Sequence, residues 1–279
     1  MINFNGDLIT ETDNLLIGNR AFLFGDAVFE TIRIINSRVL FLEDHYFRLM
    51  AAMRIVRMDI PMHFNMEYFE EQLLAVAKAN DCADAARVRI TVYRISEGYY
   101  LPLNNDVGFI ASVKPLENAL YVVDKMSYEV DLYKDFYVPA QLLSSVKTTN
   151  RMINITGSIF ANENGLADCL LMNDSKNVIE GLQGNLFMVS GNTLITPPVS
   201  DGCINGVMRK QVLSLAKKIE GLEVVEASIS PFELQKAEEL FLTNVIRGIQ
   251  PITKYRKKEF QIEFSEKLRE KLNAMILLH

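Results

Sequence analysis

The sequence predicts an α+β chain in two domains, and three observations carry that expectation. Short runs with strand alternation and longer runs with helical spacing are interleaved, without the strict βαβ rhythm of a doubly wound sheet. The chain has 279 residues, 49% of them apolar, more than one ordinary core accommodates. The pattern breaks around Lys114-Pro115, because a proline biases the preceding residue away from helix and marks a segment boundary. Residues 1–115 are therefore expected to form a small N-terminal domain and residues 116–279 a larger C-terminal one.

The opening "MINFNGDLI" reads as a hairpin with Asn5-Gly6 as its turn. "VFETIRIINSRVLFLEDH" gives two β-rich runs around an Asn36-Ser37 turn and then enters a helix. In that helix, "EDHYFRLMAAMRIVRM", Leu49, Met53 and Val56 share a face, and Pro61 closes the segment. A second amphipathic helix covers "NMEYFEEQLLAVAKAN", and "ARVRITVYRI" alternates as a strand does. Beyond the boundary, "FYVPAQLLSSVK" leads into a helix, "TTNRMINITGSIFANENG". Thr149 or Asn150 is its candidate N-cap, and Gly165 its stop. "ADCLLMN" and "NVIEG" read as strands, "NLFMVSGNTLITPP" as a hairpin with Gly191-Asn192 at its tip, and "GVMRKQVLSLAKKIEG" as a helix.

Composition narrows the function classes. Net charge is −6 with both signs interspersed, and the densest basic run, "KYRKK" (254–258), reads as a solvated loop, so no nucleic-acid partner is expected. Cys82, Cys169 and Cys203 lack CxxC spacing, and with three histidines in the chain no disulfide framework or metal site is expected. "MINFNGDLI" is not a signal sequence and no apolar run reaches membrane-spanning length, which points to a cytoplasmic protein.

Four features suggest chemistry only when taken together. Lys147 stands alone in "SSVKTTNRM", between a small-polar run and an apolar-periodic segment. Glu180 ends an apolar strand, where a carboxylate is costly without a partner. Arg48 follows His45 by one turn and is able to hold a phosphate by a charge-assisted contact. The start of "INGVMRKQVL" offers the unpaired N–H groups of Gly206, Val207 and Met208 to an anion. Singly, each has a commoner structural explanation. As a set, an amine for an aldehyde, a carboxylate for a pyridinium and a cationic phosphate seat match the attachment points of pyridoxal 5′-phosphate.

Those residues lie in motifs that resemble the class IV aminotransferases, the fold-type IV pyridoxal-phosphate enzymes. The motifs are "NRAFLFGDAVFETIR" (19–33), "HYFRL" (45–49), "SSVKTTNRM" (144–152), "VIEGLQGNLF" with "LITPP" behind it, "CINGVMR" (203–209) and "FLTNVIRGIQPI" (241–252). The resemblance implies the D-amino acid aminotransferase-like two-domain fold, with a small α/β N-terminal domain and a homodimeric assembly. It implies that Lys147 is the Schiff-base lysine and proton carrier, and that Glu180 keeps the pyridine nitrogen protonated. It implies that Arg48, Gly206, Val207, Thr243 and Asn244 surround the phosphate and that Ile204 packs on the cofactor ring.

The family forms an external aldimine with a substrate amine and then divides between elimination and transamination. "CINGVMR", "TNVIRGIQPI" and Thr31 in "FETIR" are closer to 4-amino-4-deoxychorismate lyases of folate synthesis, which put a threonine beside the lysine. The alternative implied is an aminotransferase of D- or branched-chain amino acids using 2-oxoglutarate. Arg89 and Arg94 in "VRITVYRI" are the candidate substrate anchors, since a dicarboxylate calls for two basic groups.

Overall fold

The computed structural model describes residues 1–10, 18–122 and 127–278. They resolve into two compact units, one of residues 1–120 with 146–150, the other of residues 121–145 with 151–279. Residues 116–120 and 146–150, expected in the C-terminal domain, thus pack with the first unit. The second group is added because its backbone pairs with a strand there.

The first unit opens with β1 (Ile2–Phe4) and β2 (Asp7–Ile9), joined through Asn5 and Gly6, both with positive φ as the hairpin turn requires. A short helix α1 (Arg20–Phe24), capped by Asn19, precedes β3 (Ala27–Ile35). Asn36 and Ser37, both left-handed, turn β3 into β4 (Arg38–Val39). Helices α2 (Leu42–Ile55) and α3 (Met66–Lys78) follow, the latter capped by the Asn65 side chain on the Tyr68 N–H. Helix α2 ends before Pro61 is reached, with Arg57 already left-handed. Strands β5 (Ala85–Arg94) and β6 (Val107–Pro115) complete an antiparallel sheet ordered β2-β1-β6-β5-β3-β4 among the described residues. Its inner face packs Val28, Ile32, Ile34, Val88, Ile90 and Val92 against Leu49, Met53, Phe69, Leu73 and Val76 of the two helices. Leu49 and Met53 are wholly buried, and Val56 lies at the end of α2, half-exposed.

The second unit comprises β7 (Glu129–Leu132), α4 (Met152–Glu163), β8 (Asp168–Met172), β9 (Val178–Gly181), β10 (Asn185–Ser190) and β11 (Thr193–Thr196). After these come α5 (Val207–Ala216), β12 (Glu223–Glu226), β13 (Glu239–Asn244) and β14 (Gly248–Ile252). The chain closes with β15 (Lys254–Tyr255), β16 (Lys258–Glu259) and α6 (Glu263–Leu278). One sheet runs β12-β11-β10-β9-β8-β7-β15-β16, with β13 pairing both β10 and β14.

Two local expectations are corrected. Helix α4 begins at Met152 without a side-chain cap, because Thr149 and Asn150 are engaged elsewhere: Thr149 Oγ1 and Asn150 Nδ2 each donate to Gly25 O at 3.0 Å. "KYRKK" is not a solvated loop. It is the β15–β16 hairpin, and Lys254 pairs with Glu129 at 3.0 Å while Lys258 Nζ donates to the carbonyls of Gln235 and Ala237. Gly165 does stop α4, in the left-handed conformation just past its end.

Candidate active site

In the first unit, the segment around Lys147 lies antiparallel to the start of β3. Phe29 N–H donates to Lys147 O at 2.9 Å and Thr149 N–H to Ala27 O at 3.0 Å, flanking the bridge between Val28 and Thr148. That register puts Lys147 opposite Phe29, on the same face of the sheet. Its Nζ lies 4.5 Å from the Phe29 ring centroid, and the Arg89 guanidinium carbon lies 3.7 Å from the same centroid. The two cations are therefore at most about 8 Å apart (3.7 + 4.5 Å), attracted to one aromatic ring. Thr31, two residues along β3 and paired with Arg89, shares this face and is half-buried. Lys147, Thr31 and Arg89 are thus brought together.

Arg94 is not. It is five residues from Arg89, so strand alternation sends it to the opposite face. There it is buried, and its guanidinium is engaged by Asp26 Oδ2 at 3.0 Å, by Val56 O at 2.9 Å, by Arg57 O at 3.0 Å and by Asn105 Oδ1. Asp26 Oδ2 also receives Arg20 Nε at 2.8 Å, so Arg94 belongs to a structural cluster and not to the Lys147 face.

Glu30 and Arg48 stand on the core side of β3. Arg48 Nε donates to Glu30 Oε1 at 2.7 Å and Nη2 to Oε2 at 2.6 Å, a bidentate fork. His45 Nδ1 donates to the same Oε2 at 2.8 Å. Burial pushes the Glu30 carboxyl up, but the Arg48 charge and the His45 and Arg48 hydrogen bonds outweigh it and hold the pKa at about 2. Burial pushes His45 below its ordinary value, leaving it neutral with Nε2 buried and unpartnered. The Arg48 side chain stays 16% exposed.

The second unit assembles a separate constellation. Glu180 is no edge residue: it lies inside the sheet, paired with Leu171 of β8 and Asn185 of β10, and is 6% exposed. Its Oε2 accepts the Ile204 N–H at 2.9 Å, with Asn185 Nδ2 at 3.5 Å. Asn185 Nδ2 also donates to Ile204 O at 2.8 Å, so one carboxamide ties the loop before α5 to the Glu180 strand. Gly206 caps α5 with no side-chain acceptor, and the first-turn N–H groups of a helix have none within it. A Cβ at Gly206 would run into Asn185 Oδ1. The position admits only glycine without displacing that carboxamide.

Thr243 pairs with Asn185 across β10–β13, and its Oγ1 is buried without a hydrogen-bond partner. Asn244 Oδ1 is used locally, accepting the Ile246 and Arg247 N–H groups at 2.9 and 2.8 Å to close the β13–β14 turn. Ile204 is half-buried and Val207 buried. A buried carboxylate, a helix N-terminus and an orphaned hydroxyl suit a ligand carrying a protonated ring nitrogen and an anionic tail.

Three contributors escaped the sequence reading. Glu30 sits among apolar i±2 neighbours, Val28 and Ile32, which is itself the sign of a partnered buried carboxylate. Asn185 stands out in the sequence only as part of the "VIEGLQGNLF" motif. Asp168 had no local signal: buried, it accepts the Leu182 and Cys169 N–H groups at 2.9 and 2.7 Å and Tyr128 Oη at 3.1 Å, fixing the turn after Glu180.

Comparison with known proteins places the chain in a family. A model of the family described as amino-transferase class IV matches residues 27–255. A protein named as a branched-chain-amino-acid aminotransferase from Methanocaldococcus jannaschii is 30% identical over 255 residues, covering 90% of this chain and 86% of its own. The aminodeoxychorismate lyase of Bacillus subtilis is 27% identical over 290 residues, covering 100% of this chain and 93% of its own. Among solved structures, the branched-chain amino acid aminotransferase of Thermobaculum terrenum in its PLP form shares the fold. Its TM-score is 0.86 at 23% identity, covering 99% of this chain and 92% of that one. The mixed helix-and-sheet architecture, the matched residues and the relatives agree: the chain belongs to the class IV aminotransferases, a family of pyridoxal 5′-phosphate-dependent enzymes.

Proposed function

We propose that this enzyme is a 4-amino-4-deoxychorismate lyase, releasing pyruvate and 4-aminobenzoate for folate synthesis. The observation that carries the reading is the Thr31 hydroxyl on the Lys147 face of β3, one residue pair from the lysine. The residues fit the cofactor: Thr243 Oγ1 is a buried hydroxyl awaiting an acceptor or donor, and the Gly206 helix start has no side chain of its own to fill it. Pyridoxal phosphate, when bound, supplies a conjugated electron sink for the substrate's amine-bearing carbon.

In this reading Lys147 Nζ would hold the cofactor and, as a free amine, would take the proton from the substrate's amine-bearing carbon. The Glu180 carboxylate holds the proton on the pyridine nitrogen. Thr31 Oγ1 hydrogen-bonds the departing ether oxygen as the ring C–O bond breaks. The electrons of the lost C–H bond end in the aromatic ring, and pyruvate leaves as its enol; no oxidant is needed. By family resemblance, Arg48 and the N–H groups of Gly206 and Val207 would hold the phosphate, with Thr243 and Asn244 assigned to the same group, and Ile204 would pack on the ring. Arg89 pairs with a substrate carboxylate.

A second reading, transamination of a D- or branched-chain amino acid, is favoured by Arg94. Its engagement with Asp26 leaves Arg89 as the candidate anchor on β5, which suits an amine with one carboxylate. Incubating the purified protein with aminodeoxychorismate, and separately with L- and D-amino acids plus 2-oxoglutarate, decides between them. Pyruvate with 4-aminobenzoate supports the lyase, and glutamate formation without them overturns it.

A cytoplasmic homodimer completes the reading. Exposed Met152, Ile155 and Ile159 along α4 offer an apolar face to a second copy. Light scattering that returns a fully active monomer at micromolar concentration overturns the dimer.

A further inference from the structure

We infer that Glu30 is a positioning residue: by gripping Arg48 on two nitrogens, with His45 as a third support, it fixes the guanidinium plane in which the cofactor phosphate is received. The inference rests on the assignment of Arg48 to the phosphate and deepens it. A seat built for attraction alone would leave the arginine free of any counter-charge, because a carboxylate in contact subtracts from its pull on a phosphate. Here the carboxylate is 1% exposed and takes both the Nε and Nη2 edges at 2.7 and 2.6 Å. The fork leaves the guanidinium little freedom to rotate about its own axis. His45 Nδ1, 2.8 Å from Oε2 and wholly buried, prevents the carboxylate from turning with it. An arginine otherwise has several rotatable bonds to freeze when it meets an anion, and ordering it beforehand removes that cost from binding.

Apolar side chains pack beside the triad, and the Asp44 carboxylate also acts on His45 through its charge. Val28 and Ile32 flank Glu30 on the core face of β3, and Leu49 and Met53 continue the α2 face that carries His45. The His45 Nε2 has no partner, so the imidazole has one polar task, the bond to Glu30. This arrangement is expensive unless the orientation of Arg48 matters.

The test compares pyridoxal 5′-phosphate with pyridoxal, which lacks the phosphate, as ligands of the full-length protein freed of cofactor. Affinities are read by fluorescence titration for the wild type, Glu30→Gln, Arg48→Ala and the double variant. The positioning role requires Glu30→Gln to weaken pyridoxal phosphate about 3- to 10-fold while pyridoxal is unaffected. It also requires no further loss of phosphate preference when Glu30→Gln is added to Arg48→Ala.

Equal weakening of both ligands, or the same loss of preference in the Arg48→Ala background, means a purely structural Glu30 and overturns the inference. A stronger phosphate preference in Glu30→Gln overturns it too, since counter-charge would then outweigh orientation. Undiminished preference in Arg48→Ala refutes instead the underlying assignment of Arg48. Should Glu30→Gln fail to fold, His45→Leu removes one support of the same carboxylate without touching Arg48. It is expected to lower the preference about 2-fold, and an unchanged ratio in that folded variant overturns the inference.

Discussion

Glu180→Gln separates the cofactor-binding role proposed for this side chain from its proposed role in the chemistry. In the fold, Oε2 holds the Ile204 N–H at 2.9 Å, and a glutamine oxygen is able to keep that bond. The substitution exchanges one charge-assisted hydrogen bond for a neutral one, a loss of about 1 kcal/mol, offset by the smaller desolvation cost of an amide at a site 6% exposed. Fold and cofactor occupancy are therefore expected to persist. The rate is not. An amide cannot hold the pyridine proton by charge, and the developing negative charge at the amine-bearing carbon loses a preorganised electrostatic partner. Removal of one such partner costs about 2–4 kcal/mol, on the order of 10²–10³ in rate. Single-turnover measurements with substrate deuterated at the amine-bearing carbon read this directly, and the isotope effect should rise as proton removal becomes limiting. Elimination and transamination share that step, so the test is independent of which is catalysed. A variant within threefold of wild type at equal occupancy, with no change in isotope effect, refutes the assignment.

Lys147→Ala should abolish covalent attachment of the cofactor, because the proposed attachment amine lies on the Phe29 face and alanine offers none. Borohydride reduction and peptide mapping of the wild type should label Lys147, and label on another lysine refutes the role. Gly206→Ala should weaken cofactor binding roughly 10-fold and destabilise the fold by about 1–3 kcal/mol. The new methyl displaces the Asn185 carboxamide that ties Ile204 to Glu180. Isothermal titration and urea unfolding check both. Stability should also fall with acid in two stages. His45 is depressed below its ordinary 6.5, so the unfolded chain takes up its proton first and stability is lost as pH drops below about 6.5. Glu30, depressed from 4.5 to about 2, stabilises fully above 4.5, and that contribution, ~3 kcal/mol, is lost as pH falls toward 2. Urea midpoints between pH 8 and 3 should show both stages, and Glu30→Gln should lack the second.

Whatever depends on neighbours within a few residues is legible before the chain folds. The Asn5-Gly6 and Asn36-Ser37 turns and the Gly165 stop were legible because each is set by local backbone preference. The motifs carrying Lys147, Glu180 and Gly206 were legible because their residue types are specific as a set. Period-2 alternation along "VRITVYRI" even held the correction to Arg94, since residues five apart in a strand face opposite ways. Which face carries Lys147 was another matter. That follows from the pairing of Lys147 with Phe29 across 118 residues of chain, and no local pattern encodes a partner so distant. Thr149 and Asn150 look like caps locally for the same reason: their acceptor, Gly25 O, is remote in sequence. The "KYRKK" hairpin depends on β7 and Glu129, the Glu30–His45–Arg48 cluster on the docking of α2 against β3, and the Glu180 environment on Ile204. In each case the deciding interaction is a hydrogen bond or ion pair that exists only after long-range closure of the chain. Only the closed chain could therefore decide which of the candidate charges enter structural clusters, as Arg94 does with Asp26.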